Sequence, residues 1–84
     1  MKDTVVWKPD AEDDLARLWN SAPDRGAVAW AGDQIDALLQ YNPETRGESR
    51  AGDVRILLVP PLAVHFRVSP DDRLVEVVAV WRPK

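Results

Sequence analysis

The chain has 84 residues, 45% of them hydrophobic, and no cysteine. That is the length of one domain, 1–84, with enough apolar content for a core, and it excludes disulfides, thiolate metal sites and a cysteine nucleophile. The net charge of −3 gives no bulk attraction to nucleic acid, and no apolar run reaches signal-peptide or membrane-span length, so a cytoplasmic protein without membrane contact is expected.

"TVVWK", Thr4 to Lys8, is β-branched and predicts a short strand ended by Pro9 and Asp10. Asp10 is a candidate N-cap, and Glu12, Asp13 and Asp14 suit the positive end of a helix. Ala11, Leu15, Leu18, Trp19 and Ala22 keep helical spacing, so a first helix is expected over Ala11 to Ser21. Pro23 stops it, and Asp24 can cap a second helix whose apolar stripe is Val28, Ala31, Ile35, Leu38 and Leu39. Asn42 and Pro43 end that helix. The short connection predicts an antiparallel helical hairpin. "PETRGESRAGD", Pro43 to Asp53, reads as a polar loop. Three strands follow, at Val54 to Val59, Leu62 to Val68 and Leu74 to Arg82, with a turn at Ser69 to Arg73. The order β-α-α-β-β-β predicts an α+β fold: an antiparallel sheet with the two-helix hairpin packed on one face.

Alternation along each strand then assigns faces. Val54, Ile56 and Leu58, with Val64, Phe66 and Val68, and Val75, Val77, Ala79 and Trp81, are expected under the helices. The other face is expected to carry Arg55, Leu57, Val59, Ala63, His65, Arg67, Leu74, Glu76, Val78, Val80 and Arg82. Apolar surface rimmed by charge marks a partner or ligand face. Leu57, Val78 and Val80 are therefore candidate partner contacts, together with Arg46 and Arg50 on the loop. Arg55, His65, Arg67 and Arg82 are the candidate catalytic residues. Histidine is the side chain that changes charge nearest neutral pH, and arginine stabilises phosphoryl charge. The alternative for His65 is a half-buried ring between Leu57 and Val78 or a surface histidine with no chemical role, and for Arg55 a cross-strand pair with Glu76. Trp19, Trp81 and Trp7 are assigned to the core; Trp30 lies off the main stripe and fills the helix seam or anchors a partner. One histidine and scattered acids make no metal site, and no cofactor is expected.

"VVWKPDAEDDLARLW", "AGDQIDALLQYNPETRGESR", "VRILLVPPLAVHFRV" and "LVEVVAVWRPK", in that order, span nearly the whole chain and resemble the RelE/ParE superfamily, the toxins of bacterial type II toxin–antitoxin modules. The resemblance implies a growth-inhibiting toxin neutralised by a cognate antitoxin. It also implies action on the ribosome and mRNA as an endoribonuclease, or on DNA gyrase. RelE-like members carry several basic residues on the second strand, where only Arg55 matches and Leu57 and Val59 hold the other outward positions. Ala63 stands where the third strand usually begins with arginine; Arg82 and Lys84 stand near the family's terminal catalytic group. ParE-like members lack the ribonuclease set. Two further readings remain beside the toxin. One is a non-catalytic descendant of the fold acting as a small protein-interaction domain. The other is a phosphodiester-cleaving enzyme using His65, Arg67 and Arg55.

Overall fold

A computed structural model describes residues 2–50 and 52–83. Strand β1 (Thr4–Trp7) leads into helices α1 (Pro9–Ser21) and α2 (Arg25–Leu39). A short 3-10 turn (Pro43–Thr45) precedes β2 (Glu48–Ser49), β3 (Val54–Val59), β4 (Leu62–Ser69) and β5 (Leu74–Trp81). The strands form one sheet in the order β1-β5-β4-β3-β2.

Local chemistry sets the boundaries. Helix α1 begins two residues earlier than its apolar stripe, at Pro9, whose missing N–H is harmless in the first turn. Asp10 is therefore inside the helix and does not cap it. Asp24 does cap α2: its carboxylate accepts from the Ala27 amide at 3.0 Å. Asn42, in the left-handed conformation with φ 51°, turns the chain out of α2. Part of the expected loop, Glu48–Ser49, adds a two-residue strand along β3.

Two features of the sheet differ from the sequence reading. The last three strands form the expected antiparallel meander, but β1 lies parallel to β5, with Thr4 opposite Leu74 and Trp7 opposite Val77. β1 can run parallel to β5, its one neighbour, because the chain between them holds both helices and strands β2 to β4 rather than a tight turn.

The second difference concerns faces. The two-residue turn at Pro60–Pro61, a cis peptide, places Val59 opposite Leu62. Opposite residues share a face, so Arg55, Leu57 and Val59 join Leu62, Val64 and Phe66 on the helix side. Val54, Ile56 and Leu58 point outward, the reverse of the expectation, and Leu58 is 59% exposed. In β5 the expectation holds at Val75 and Val77. Phe66 then pairs with Val77 while His65 pairs with Ala79, leaving Val78 as one extra residue. This bulge reverses the alternation, so Val80 enters the core and Ala79 and Trp81 turn outward.

The core lies between the helices and the inner face. Ala11, Val28, Ala31, Ile35 and Leu39 meet Leu62, Val64, Phe66, Val75 and Val77, all at most 1% exposed. Leu15 and Leu18 pack against it. Each large side chain so buried contributes about 1.5–3 kcal/mol. Two tryptophans assigned to the core lie elsewhere: Trp19 is 41% exposed and Trp81 sits half-buried on the outer face. Trp30 is 57% exposed, outside the helix seam.

Candidate functional site

Among the described residues, no helix covers the outer face of the sheet. Its middle is apolar: Ile56 and Leu58 from β3, Ala63 from β4, Ala79 and Trp81 from β5. The His65 ring meets Trp81 edge-on, with centroids 4.6 Å apart and planes at 63°. Its cross-strand neighbours are Ile56 and Ala79, so the half-buried placement is real but its walls are not Leu57 and Val78. A depression of about 460 Å³ opens beside Trp81, with Ile56 and Leu58 below and Glu48, Arg50 and Pro83 at its edge. Arg50 Nη2 lies 3.6 Å from Glu48 Oε2 at this rim.

The four candidate catalytic residues do not converge. Arg67 shares the face with His65, opposite Glu76, but its Nε lies 3.5 Å from Asp53 Oδ1. Four residues of strand separate it from Ala63 at the depression, roughly 13 Å at ~3.3 Å per residue. Arg82 follows the end of β5 and is exposed. Arg55 belongs to the opposite face. Its Nε donates to the Arg46 carbonyl at 2.9 Å and its Nη2 to the Gly47 carbonyl at 3.2 Å. It is thus a clasp that holds the β2 loop to the sheet. Glu76 does not pair with it; Lys8 Nζ reaches Glu76 Oε2 at 3.4 Å.

Gly47 explains why the clasp works. Its φ is +62°, and a Cβ there would stand 1.9 Å from the Ile56 carbonyl oxygen. Only glycine lets the loop lie this close to β3. The loop then presents Glu48 and Arg50 at the rim, while Arg46 donates through Nε to the Tyr41 carbonyl at 3.2 Å. Among the residues read as partner contacts, Val80 is 4% exposed and Leu57 packs against the core. Burial removes Val80 from any docking surface, because a partner cannot reach it. Val78 is the half-buried residue of the bulge.

A second concave feature, missed in the sequence, lies on the other side of the molecule. The two helices leave between them a channel of about 900 Å³, lined by Leu15, Ala16, Trp19, Ala29 and Gly32 with Trp7 at its base. The signal was present in the small residues at facing positions, Ala16 on α1 and Ala29 and Gly32 on α2. Among the described residues no group of three or more His, Asp or Glu side chains could hold a metal ion. No described helix is long and apolar enough to cross a membrane.

No family model matches the sequence, and no curated protein sequence matches it. Solved structures do. A chain of the RelBE2 toxin–antitoxin complex from Mycobacterium tuberculosis superposes with a TM-score of 0.78 at 15% identity, over 99% of this chain and 93% of that one. A chain of the chromosomal ParDE system from P. aeruginosa gives 0.75 at 19% identity, over 99% and 98%. The free E. coli RelE toxin, as a double arginine-to-alanine mutant, gives 0.75 at 12% identity, over 98% and 84%. These identities speak to architecture, and the architecture agrees over the full length with proteins of both branches named by the sequence resemblance: the chain has the RelE/ParE toxin fold.

Proposed function

We propose that this chain is the toxin of a type II toxin–antitoxin module, and that it arrests growth by binding a protein target rather than by cutting RNA. The fold supports the first half, since its solved neighbours are toxin–antitoxin proteins. The second half rests on one observation: the middle of the outer sheet face is apolar. RNA binding draws most of its affinity from phosphate contacts. Here Ile56, Leu58 and Trp81 occupy the centre above the buried Ala63, Arg55 is turned away to hold the loop, and Arg67 and Arg50 each have a carboxylate partner. An apolar patch with an arginine rim has instead the anatomy of a protein–protein contact. Of the two targets the resemblance implies, DNA gyrase fits this face better than mRNA on the ribosome.

Induced expression in a bacterial host tests this directly. Growth arrest with relaxed plasmid DNA and intact mRNA is the expected result. Arrest with mRNA cleaved at defined sites would instead establish the endoribonuclease. Absence of arrest would leave the interaction-domain reading, for which the apolar outer face and the unpaired channel are the supporting features.

A further inference from the structure

We propose that Ser49 is a phosphorylation site, and that its phosphate seats against Arg55 and Arg46 on the helix side of the β2 edge. The inference is independent of the toxin reading, because it rests on the chemistry of the β2 loop alone.

Register brings the groups together. Ser49 is exposed and stands opposite Arg55 in the antiparallel pair, so both side chains lie on one face. Opposed Cβ atoms are about 4.5–5.5 Å apart, a gap that a phosphate on the serine oxygen bridges to a guanidinium. The Ser49 hydroxyl makes only a long contact, 3.5 Å, with the Arg50 carbonyl. Two other hydroxyls are better satisfied: Ser21 donates to the Arg17 carbonyl at 3.0 Å and Thr45 to the Asn42 carbonyl at 2.9 Å.

Charge supplies the reason for an anion. Arg55 donates to the Arg46 and Gly47 carbonyls, and Arg46 donates to the Tyr41 carbonyl. Among the described residues neither guanidinium pairs with a carboxylate, so two full positive charges meet only neutral acceptors. Arg50 differs, because it faces the outer depression together with Glu48 and pairs with it. A phosphoserine brings about −1.5 to −2 charge at neutral pH and three acceptor oxygens, which the planar arginine fork matches. Nη1 of Arg55 has no hydrogen-bond partner among the described residues, so the phosphate binds without breaking the clasp.

Sequence and topology supply access. Arg46 lies three residues before Ser49 and Arg50 one after it. β2 is an edge strand, extended and paired on one side only. These arginines complement the acidic substrate cleft of a basophilic serine kinase. The Ser49 oxygen attacks the γ-phosphorus of ATP, and the new O–P bond forms as the bond to the β-phosphate oxygen breaks. ADP leaves, and the hydroxyl proton passes to the kinase's base. The product ties β2 to β3 by charge-assisted hydrogen bonds and so tightens the loop that carries Glu48 and Arg50 to the depression.

The test uses the full chain. A basophilic serine kinase with ATP should place one phosphate on Ser49, located by mass spectrometry. Ser49→Ala should abolish incorporation there, and Arg46→Ala should slow it at least tenfold. The phosphorylated full chain is also made by chemical synthesis. A free phosphoserine has a second pKa of about 6. Followed by phosphorus NMR, the folded chain should titrate about one unit lower than the same molecule unfolded in urea, and Arg55→Gln should remove most of that difference. Amide exchange at Glu48 and Ser49 should slow at least threefold on phosphorylation. No incorporation at Ser49, equal titration in the folded and urea-unfolded chains, or faster exchange in the loop would each overturn the proposal.

Discussion

On the helix side of the sheet, apolar side chains are covered and the surface above them is acidic. On the open side, Leu58 is exposed, Ile56, Ala79 and Trp81 are half-buried, and the rim carries arginines. The first side uses its hydrophobic residues to fold; the second has more of them than folding requires. Leu58 on the open face is 59% exposed, while Phe66 and Val64 under the helices are fully buried. A small protein tolerates an exposed aliphatic singly, but contiguous apolar surface ringed by charge is a contact surface. The two sides therefore offer two different contacts. The open side has the anatomy of a contact with an apolar centre, and the helix side presents a channel lined by Glu12, Asp33 and Asp36.

The sharpest way to break that contrast lies within one strand. Phe66 and His65 are neighbours on opposite faces of β4. Phe66→Ala should cost about 3–5 kcal/mol, because it opens a cavity in the core. His65→Ala should cost only about 0.5–1.5 kcal/mol, since it removes one edge-on contact with Trp81. Urea unfolding of both variants checks this. Equal losses would mean that the open face is also core.

The next largest effect concerns Arg55, which the sequence places with His65 and Arg67. Its two hydrogen bonds to the Arg46 and Gly47 carbonyls are charge-assisted, so Arg55→Ala should destabilise by about 1.5–3 kcal/mol. Amide exchange should quicken across Glu48–Ser49 before anywhere else. Gly47→Ala should produce the same local pattern by a different cause, a forced φ and a clash with the Ile56 carbonyl, at about 1–3 kcal/mol. An Arg55→Ala variant that keeps full stability and loop protection while losing growth arrest would restore Arg55 to the functional face.

These residues also show what the sequence could and could not disclose. Helical spacing located both helices, and alternation located all three long strands, because periodicity is a local property. Face assignment depends on the register between strands, which is not local. A two-residue turn after Val59 reversed β3, and one extra residue at Val78 reversed the end of β5. Arg55, Val80 and Trp81 were misplaced for that reason alone. His65 and Arg67 were placed correctly because β4 runs without interruption. Trp19 follows the apolar stripe of α1, yet it lines the channel, because facing residues on α2 are too small to cover it. The sequence held that information only as the pairing of two helices, which spacing along one helix does not reveal.

A smaller effect, of opposite sign, probes the channel floor. Gly32 is buried in α2, and an added Cβ would lie 3.7 Å from a Leu15 methyl, an ordinary contact. Gly32→Ala should therefore stabilise the chain by about 0.5–1 kcal/mol through helix propensity and reduced freedom in the unfolded state. A melt that falls rather than rises would show that α2 cannot accept the methyl group.

The smallest expected change in stability is at Arg67, and it carries the most functional weight. Its partner Asp53 is 3.5 Å away, with side-chain exposures of 49% and 74%. Ion pairs this exposed contribute about 0–1 kcal/mol, so Arg67→Ala should melt close to the parent. The Arg67 side chain lies on the face away from the helices. If the open face engages the target, the same substitution should weaken growth arrest, since an arginine at a contact surface often costs on the order of 2 kcal/mol when truncated, more than tenfold in affinity. Asp53→Ala separates the readings of that loss. Freeing the guanidinium from its carboxylate should leave arrest intact or strengthen it if Arg67 meets the target directly. Loss of arrest in Asp53→Ala as well would mean that Arg67 matters only by holding the start of β3. Full arrest by Arg67→Ala would take this end of the sheet out of the contact surface, leaving Trp81, Ile56 and Leu58 as its centre.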